Sequence, residues 1–146
     1  MNHRSECLVF RTVKKVPLSL VRIEQIACST LRVLKISGSL SVHCIGDRRM
    51  RRMNFQYRGK DRTTDVLSFG LYEGESSRAQ GNELGDIFIC VPQIIRQARR
   101  FSVSTKEEFI RMLVHGILHL LGYDHETSSD ATRMFELQEK LLIQLN

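Results

Sequence analysis

Apolar residues recur along the chain in two distinct periods. Behind Pro17 and Ser19, Leu20, Ile23, Ala27, Leu31 and Leu34 fall three to four residues apart, which makes one buried face of a helix. Gly38 ends that pattern, and Leu40, Val42 and Cys44 then alternate with Ser39, Ser41 and His43, as a half-buried strand requires. The stretch Cys7 to Val13 reads as a first strand, and Val66 to Leu71 and Ile87 to Val91 as two more. Between these last two, the polar, glycine-containing run Glu73 to Gly85 predicts a mobile loop. Asp47 is placed to cap a short basic helix. Pro92 suits the first turn of a helix reaching Phe101, and Ser104 with Glu107 forms a capping box for a helix running to Gly122. A last helix starts near residues 127–130, with Met134, Phe135, Leu141, Leu142 and Leu145 as its inward face.

Strands gather in the first two thirds of the chain and helices in the last third. The expected fold is therefore α+β, a small mixed β-sheet of about four strands packed with about five helices. With 146 residues and no internal repeat or linker, residues 1–146 are expected to form a single domain. A hydrophobic fraction of 42%, a charged fraction of 26% and two prolines exclude disordered and collagen-like classes. No apolar run approaches the roughly 20 residues of a bilayer crossing, and Met1 to Phe10 lacks the layout of a secretory leader, so a cytoplasmic protein without membrane contact is expected. Cys7, Cys28, Cys44 and Cys90 form no C-x-x-C pair and are read as reduced core residues.

The net charge of +6 is concentrated. Between Arg48 and Arg62 stand Arg48, Arg49, Arg51, Arg52, Arg58, Lys60 and Arg62 against one acid, Asp61, so the remainder of the chain is balanced. Such a segment suits a polyanion that releases counterions on docking, and Met50, Met53, Phe55 and Tyr57 within it are apolar groups that anchor it or stack on bases.

Three of the five histidines, His115, His119 and His125, lie within eleven residues. In a helix, positions four apart differ by about 40° around the axis and about 6 Å along it, so His115 and His119 project side by side and can share one cation. On a continued helix His125 would stand about 15 Å from His115 along the axis. Gly122 tolerates the left-handed conformation that ends helices, and a turn there brings His125 back to the same cation. Three neutral imidazoles leave a Zn²⁺ ion its full charge and an open position, which favours a water of lowered pKa, roughly 7 in a three-histidine site. The helix carrying the first two ligands is apolar nearly all round and belongs in the core, a zincin-like arrangement. His3 and His43 lack such company. Asp124 is a candidate to hydrogen-bond a ligand imidazole or to shape the turn, and Asp124, Asp86 and Asp65 are candidate acids or bases. Tyr123 is read as packing.

The spacing H-x-x-x-H-x-x-G-x-x-H matches the metzincin protease pattern, except that Gly116 stands where those enzymes carry the glutamate that activates water. Glycine accepts no proton, so the metal geometry stays while protease chemistry lacks its base.

The run His115 to His125 fits H-G-x-L-H-L-x-G-Y-D-H, the signature of the YbeY family of bacterial metal-dependent endoribonucleases. Tyr57 to Asp61 followed by Thr64 to Phe69, and Leu84 to Ile87, resemble two further family blocks. The resemblance implies a single-strand-selective endoribonuclease, a hydrolase of phosphoester bonds acting in ribosomal RNA maturation at the small-subunit 3′ end and in ribosome quality control. It implies one Zn²⁺ per chain on His115, His119 and His125, and Arg58 as a catalytic arginine touching phosphate. Arg48, Arg49, Arg51, Arg52, Lys60 and Arg62 are the RNA-binding candidates. The implied partners are single-stranded ribosomal RNA and the ribosome or its small subunit, with no DNA. Thr63 and Gly70 stand where the family usually has prolines, so looser loops are expected around the Thr64 to Phe69 strand. Two other readings use the same residues: a zinc-dependent amide hydrolase or peptidase, and a non-catalytic, zinc-stabilised RNA-binding factor of ribosome assembly. The latter needs a fourth protein ligand, for which Cys90 is the candidate.

Overall fold

The computed structural model describes residues 5–70 and 83–145. Four strands, β1 (Ser5–Arg11), β2 (Gly38–Ile45), β3 (Val66–Gly70) and β4 (Glu83–Cys90), form one sheet in the order β1-β2-β4-β3. The first two pairings are parallel and β3 runs antiparallel to β4, so the sheet is mixed. The helices are α1 (Leu20–Val33), α2 (Asp47–Arg58), α3 (Val91–Arg100), α4 (Thr105–Leu120) and α5 (Ser128–Leu145).

Local chemistry explains most boundaries. Ser19 accepts a hydrogen bond from the Arg22 amide at 3.1 Å to start α1, and Ser104 accepts one from the Glu107 amide at 3.1 Å to start α4. Pro92 sits in the first turn of α3. The Thr127 hydroxyl accepts from the Asp130 amide at 3.0 Å and starts α5.

Four expectations need correction. β1 begins at Ser5 and ends at Arg11, because its ladder runs alongside β2 only from Gly38 to Cys44. β4 starts at Glu83, within the stretch expected to be a loop, because Gly85 and Asp86 pair with both β2 and β3; Glu73 to Asn82 lies outside the described residues, as does Leu71. Asp47 is the first residue of α2 and not its cap, which is Gly46; its carboxylate accepts instead from the Arg96 guanidinium at 2.7 and 3.0 Å. Phe135 is 61% exposed, since the inward stripe of α5 passes through Met134, Gln138 and Leu141.

One face of the sheet carries Cys7, Leu40, Val42, Ile87, Ile89 and Val66 into the main core, where α1 and α4 lie against it. α4 is the central helix: Phe109, Leu113, Val114, Ile117 and Leu118 are wholly buried between the sheet, α1, α3 and α5. A smaller core under α2 joins Ile45, Met50, Leu67 and Cys90 on the other face. Beyond α2 that face holds a row of stacked rings, Phe10 on His43 and His43 on Phe88, with centroids 5.1 and 4.4 Å apart. All four cysteines are free thiols; Cys7, Cys44 and Cys90 are buried and Cys28 half-buried. Among the described residues no helix is long and apolar enough to cross a membrane.

Candidate metal centre and active cleft

The last turn of α4 builds the site. Leu121 closes the helix, Gly122 adopts φ 96°, the Gly122 amide bonds to the His119 carbonyl and the Tyr123 amide to the Leu118 carbonyl, both at 3.0 Å. This Schellman motif reverses the chain and carries His125 back over the helix end. The Asp124 carboxylate accepts from the His125 amide at 2.7 Å and holds the turn. As a result one ligand nitrogen from each of His115, His119 and His125 lies within 4.8 Å of the others. Their ring centroids are 4.8, 4.9 and 6.1 Å apart.

This donor set fits a divalent cation. Nδ1 of His115 donates to Oε1 of Gln138 at 2.9 Å, which fixes the tautomer and leaves Nε2 with its lone pair for a metal. Burial, together with the neighbouring His115 and His125 rings, pushes the His119 imidazole down to about 4, so it is neutral at pH 7 and able to ligate. Asp124 opposes that shift and Arg58 adds to it, and both residues line one cavity with the imidazoles. Among the described residues the cluster of ligating groups holds the three histidines and no cysteine or carboxylate. Cys90 lies elsewhere, its thiol against Asp47 at 3.3 Å and Thr63 at 3.5 Å.

The imidazoles open into a cavity of about 490 Å³. Arg58 also lines it, from the C-terminus of α2, where Gly59 takes φ 70° and turns the chain into the loop 59–65. Asp65, Asp124 and Glu126 bring carboxylates to the same cavity. Ser68 lines it too and donates to the Gly116 carbonyl at 2.8 Å, joining β3 to α4.

The profile of a known family, Endoribonuclease YbeY, matches residues 11–146. The chain belongs to the YbeY family. An Endoribonuclease YbeY of Sulfurihydrogenibium sp. is 45% identical over 107 residues, covering 73% of this chain and 69% of that protein. The Endoribonuclease YbeY of Treponema pallidum is 41% identical over 127 residues, covering 84% and 79%. The solution structure of TM1509 from Thermotoga maritima superposes with a TM-score of 0.69 at 28% identity, covering 95% of this chain and 88% of that one.

In this YbeY chain the residues singled out from sequence do not all converge. His115, His119, His125, Arg58, Asp124 and Asp65 line one cavity. Asp86 does not: it bonds Ser41 and lies 3.7 Å from His43 on the opposite face of the sheet. Tyr123 is exposed and lines a shallow apolar groove with Leu34 and Ile36. Of the other basic residues, Arg49 stacks over Phe88 at 5.6 Å, and Arg48, Arg51 and Arg62 line a separate cleft. Arg52 and Lys60 are exposed and line neither cavity. Met50 is buried and Met53 packs beside it, while Phe55 and Tyr57 are exposed. Sequence reasoning missed Gln138 and Glu126. Nothing local marks Gln138, which lies 23 residues from His115, whereas Glu126 was detectable as the carboxylate next to a ligand.

Proposed function

We propose that this chain is a zinc-dependent endoribonuclease selective for single-stranded RNA, working on the 3′ end of small-subunit ribosomal RNA and in ribosome quality control. Its partners in this reading are ribosomal RNA and the small ribosomal subunit, its place is the cytoplasm, and residues 1–146 act as one domain. The observation that carries the reading is the convergence of three imidazoles and Arg58 on one cavity in a member of an endoribonuclease family.

His115, His119 and His125 would hold one Zn²⁺. Bound there, the ion supplies Lewis acidity and positive charge beside a scissile phosphate. Arg58 faces the same space, and its planar fork suits two phosphoryl oxygens and the negative charge that builds on them. Asp65, Asp124 and Glu126 are the chain's own proton acceptors within the cavity, and the Asp124 carboxylate is already engaged with the His125 amide. Gln138 orients the His115 ring. Gly116, which faces the sheet and not the cavity, supplies no base for peptide hydrolysis.

Digestion of unstructured RNA by metal-loaded wild type, beside His119→Ala and Arg58→Lys, tests this. Cleavage by wild type that is lost on chelation and restored by Zn²⁺, absent in His119→Ala and reduced at least tenfold in kcat in Arg58→Lys, is expected. Undiminished RNA cleavage by His119→Ala, or chelator-sensitive cleavage of peptides in place of RNA, would overturn it.

A further inference from the structure

A second cleft lies behind the loop 59–65. It is lined by Arg48 and Arg51 of α2, Arg62 of the loop and Arg96 of α3, with Asp47 and Asp61. Four guanidinium groups against two carboxylates leave it positively charged. The two carboxylates are engaged: Asp61 takes Arg51 through two bonds of 2.8 and 3.2 Å, and Asp47 takes Arg96 through two of 2.7 and 3.0 Å. Gln93 also accepts from Arg96, at 2.6 and 3.2 Å, so that guanidinium is fixed from two sides. Arg48 and Arg62 form no side-chain hydrogen bond or ion pair among the described residues, and both are exposed. The cleft thus sets two uncommitted forks, Arg48 and Arg62, beside two that are tied to carboxylates, and the free pair supplies donors for the oxygens of a phosphodiester.

Its position ties it to the histidine cavity. Thr63 lines the arginine cleft and the next residue, Thr64, lines the histidine cavity. Consecutive Cα atoms stand about 3.8 Å apart, so the two spaces share this backbone segment as a common wall. The wall is braced by the Asn54 amide, which donates to the Arg62 carbonyl at 2.8 Å, by the Arg51–Asp61 pair, and by the Thr63 hydroxyl toward Asp47 at 3.5 Å.

The geometry points to the arginine cleft as a second phosphate subsite of the same RNA strand, holding a phosphodiester a few nucleotides from the one beside the histidines. This rests on the endoribonuclease reading for its ligand and adds to it a minimum substrate length, with Arg96, outside the basic run, holding Asp47 at the side of the cleft. A strand crossing the loop 59–65 meets Arg58 on one side and Arg62 on the other.

Fluorescence anisotropy of a labelled, unstructured oligoribonucleotide with full-length Arg48→Gln/Arg62→Gln is the direct test, because it does not depend on turnover. These exposed, unbonded side chains leave the fold intact, which circular dichroism checks. The Kd is expected to rise about tenfold. The slope of log affinity against log salt is expected to become shallower by roughly 0.7 to 1.4, for one or two phosphates released. Arg48→Lys/Arg62→Lys should keep most of the salt slope. On metal-loaded protein, the preference in kcat/KM for the long strand over a trinucleotide should fall in the Gln variant, with the change in KM. An unchanged Kd and length preference would overturn the inference and leave the cleft to a protein partner or to solvent. Wild type that binds RNA as described but cleaves none would sink the catalytic reading and leave the subsite standing.

Discussion

Gly116 and Ile87 are in such close contact that a Cβ on the glycine would stand 3.0 Å from Cγ2 of Ile87, 3.0 Å from Cγ2 of Val66 and 3.3 Å from the Ser68 hydroxyl. The helix bearing the histidines therefore lies against the sheet with a hydrogen atom at the contact. Gly116→Ala should destabilise the protein by about 1 to 3 kcal/mol, because two β-branched neighbours in a packed core must move. Urea unfolding monitored by circular dichroism measures it. Gly116→Glu, the substitution that would restore the metzincin pattern, should fail to fold and not gain peptidase activity, since its side chain would enter the sheet.

Removing the acceptor behind His115 tests how the ring is held. Gln138 is 6% exposed, so its side-chain amide faces the imidazole with little competition from water. Gln138→Leu should lower zinc affinity by roughly 10- to 100-fold, measured by competition with a chromophoric chelator. Gln138→Glu retains an acceptor and should keep most of that affinity.

The turn that returns His125 depends on Gly122 at φ 96°. No heavy atom lies within 4 Å of a Cβ built there, so the cost of Gly122→Ala is conformational and not steric, about 1 to 2 kcal/mol. Thermal melts of metal-free protein should show this loss. Metal-loaded protein should show a larger one, because displacing His125 also weakens the stabilisation that ligand binding confers.

Acid should weaken the contact between α2 and α3. The Arg96 guanidinium, bonded to Asp47, holds that carboxyl below the usual carboxylate range, with Cys90 and Thr63 assisting against partial burial. A folded-state pKa below the unfolded value of about 3.9 gives stability that is complete above that value and lost as pH falls through the folded one. Asp47→Asn should therefore lower stability at pH 7 by less than about 1 kcal/mol, since the pair is partly exposed. The difference from wild type should begin to shrink below about pH 4 and close once the pH is below the folded value. Melts across that range check both points.

What the sequence disclosed follows from how local each signal is. Ser19, Pro92 and Ser104 act within one turn of the helices they start, and the four-residue interval of His115 and His119 fixes their common side whatever surrounds them. Gly122 likewise acts on its own backbone. The misreadings all involve partners distant in the chain. Asp47 looked like a cap because Arg96, 49 residues away, was invisible as its partner. Hydrophobicity alone points Phe135 inward, while the polar Gln138 takes the buried place because its amide meets an imidazole. Glu83 to Gly85 looked like loop because their pairing lies with two other strands. The basic run Arg48 to Arg62 read as one patch, yet helix geometry and the turn at Gly59 distribute it, sending Arg58 to one cavity and Arg48 and Arg62 to another.

Synthesis proceeds from the amino end, and the amide that locks the His115 ring arrives at position 138, after all three histidines have been made. A polypeptide ending before α5 thus carries all three histidines yet lacks the acceptor that orients the first of them. Assembly of a competent centre is thereby tied to the synthesis and docking of α5.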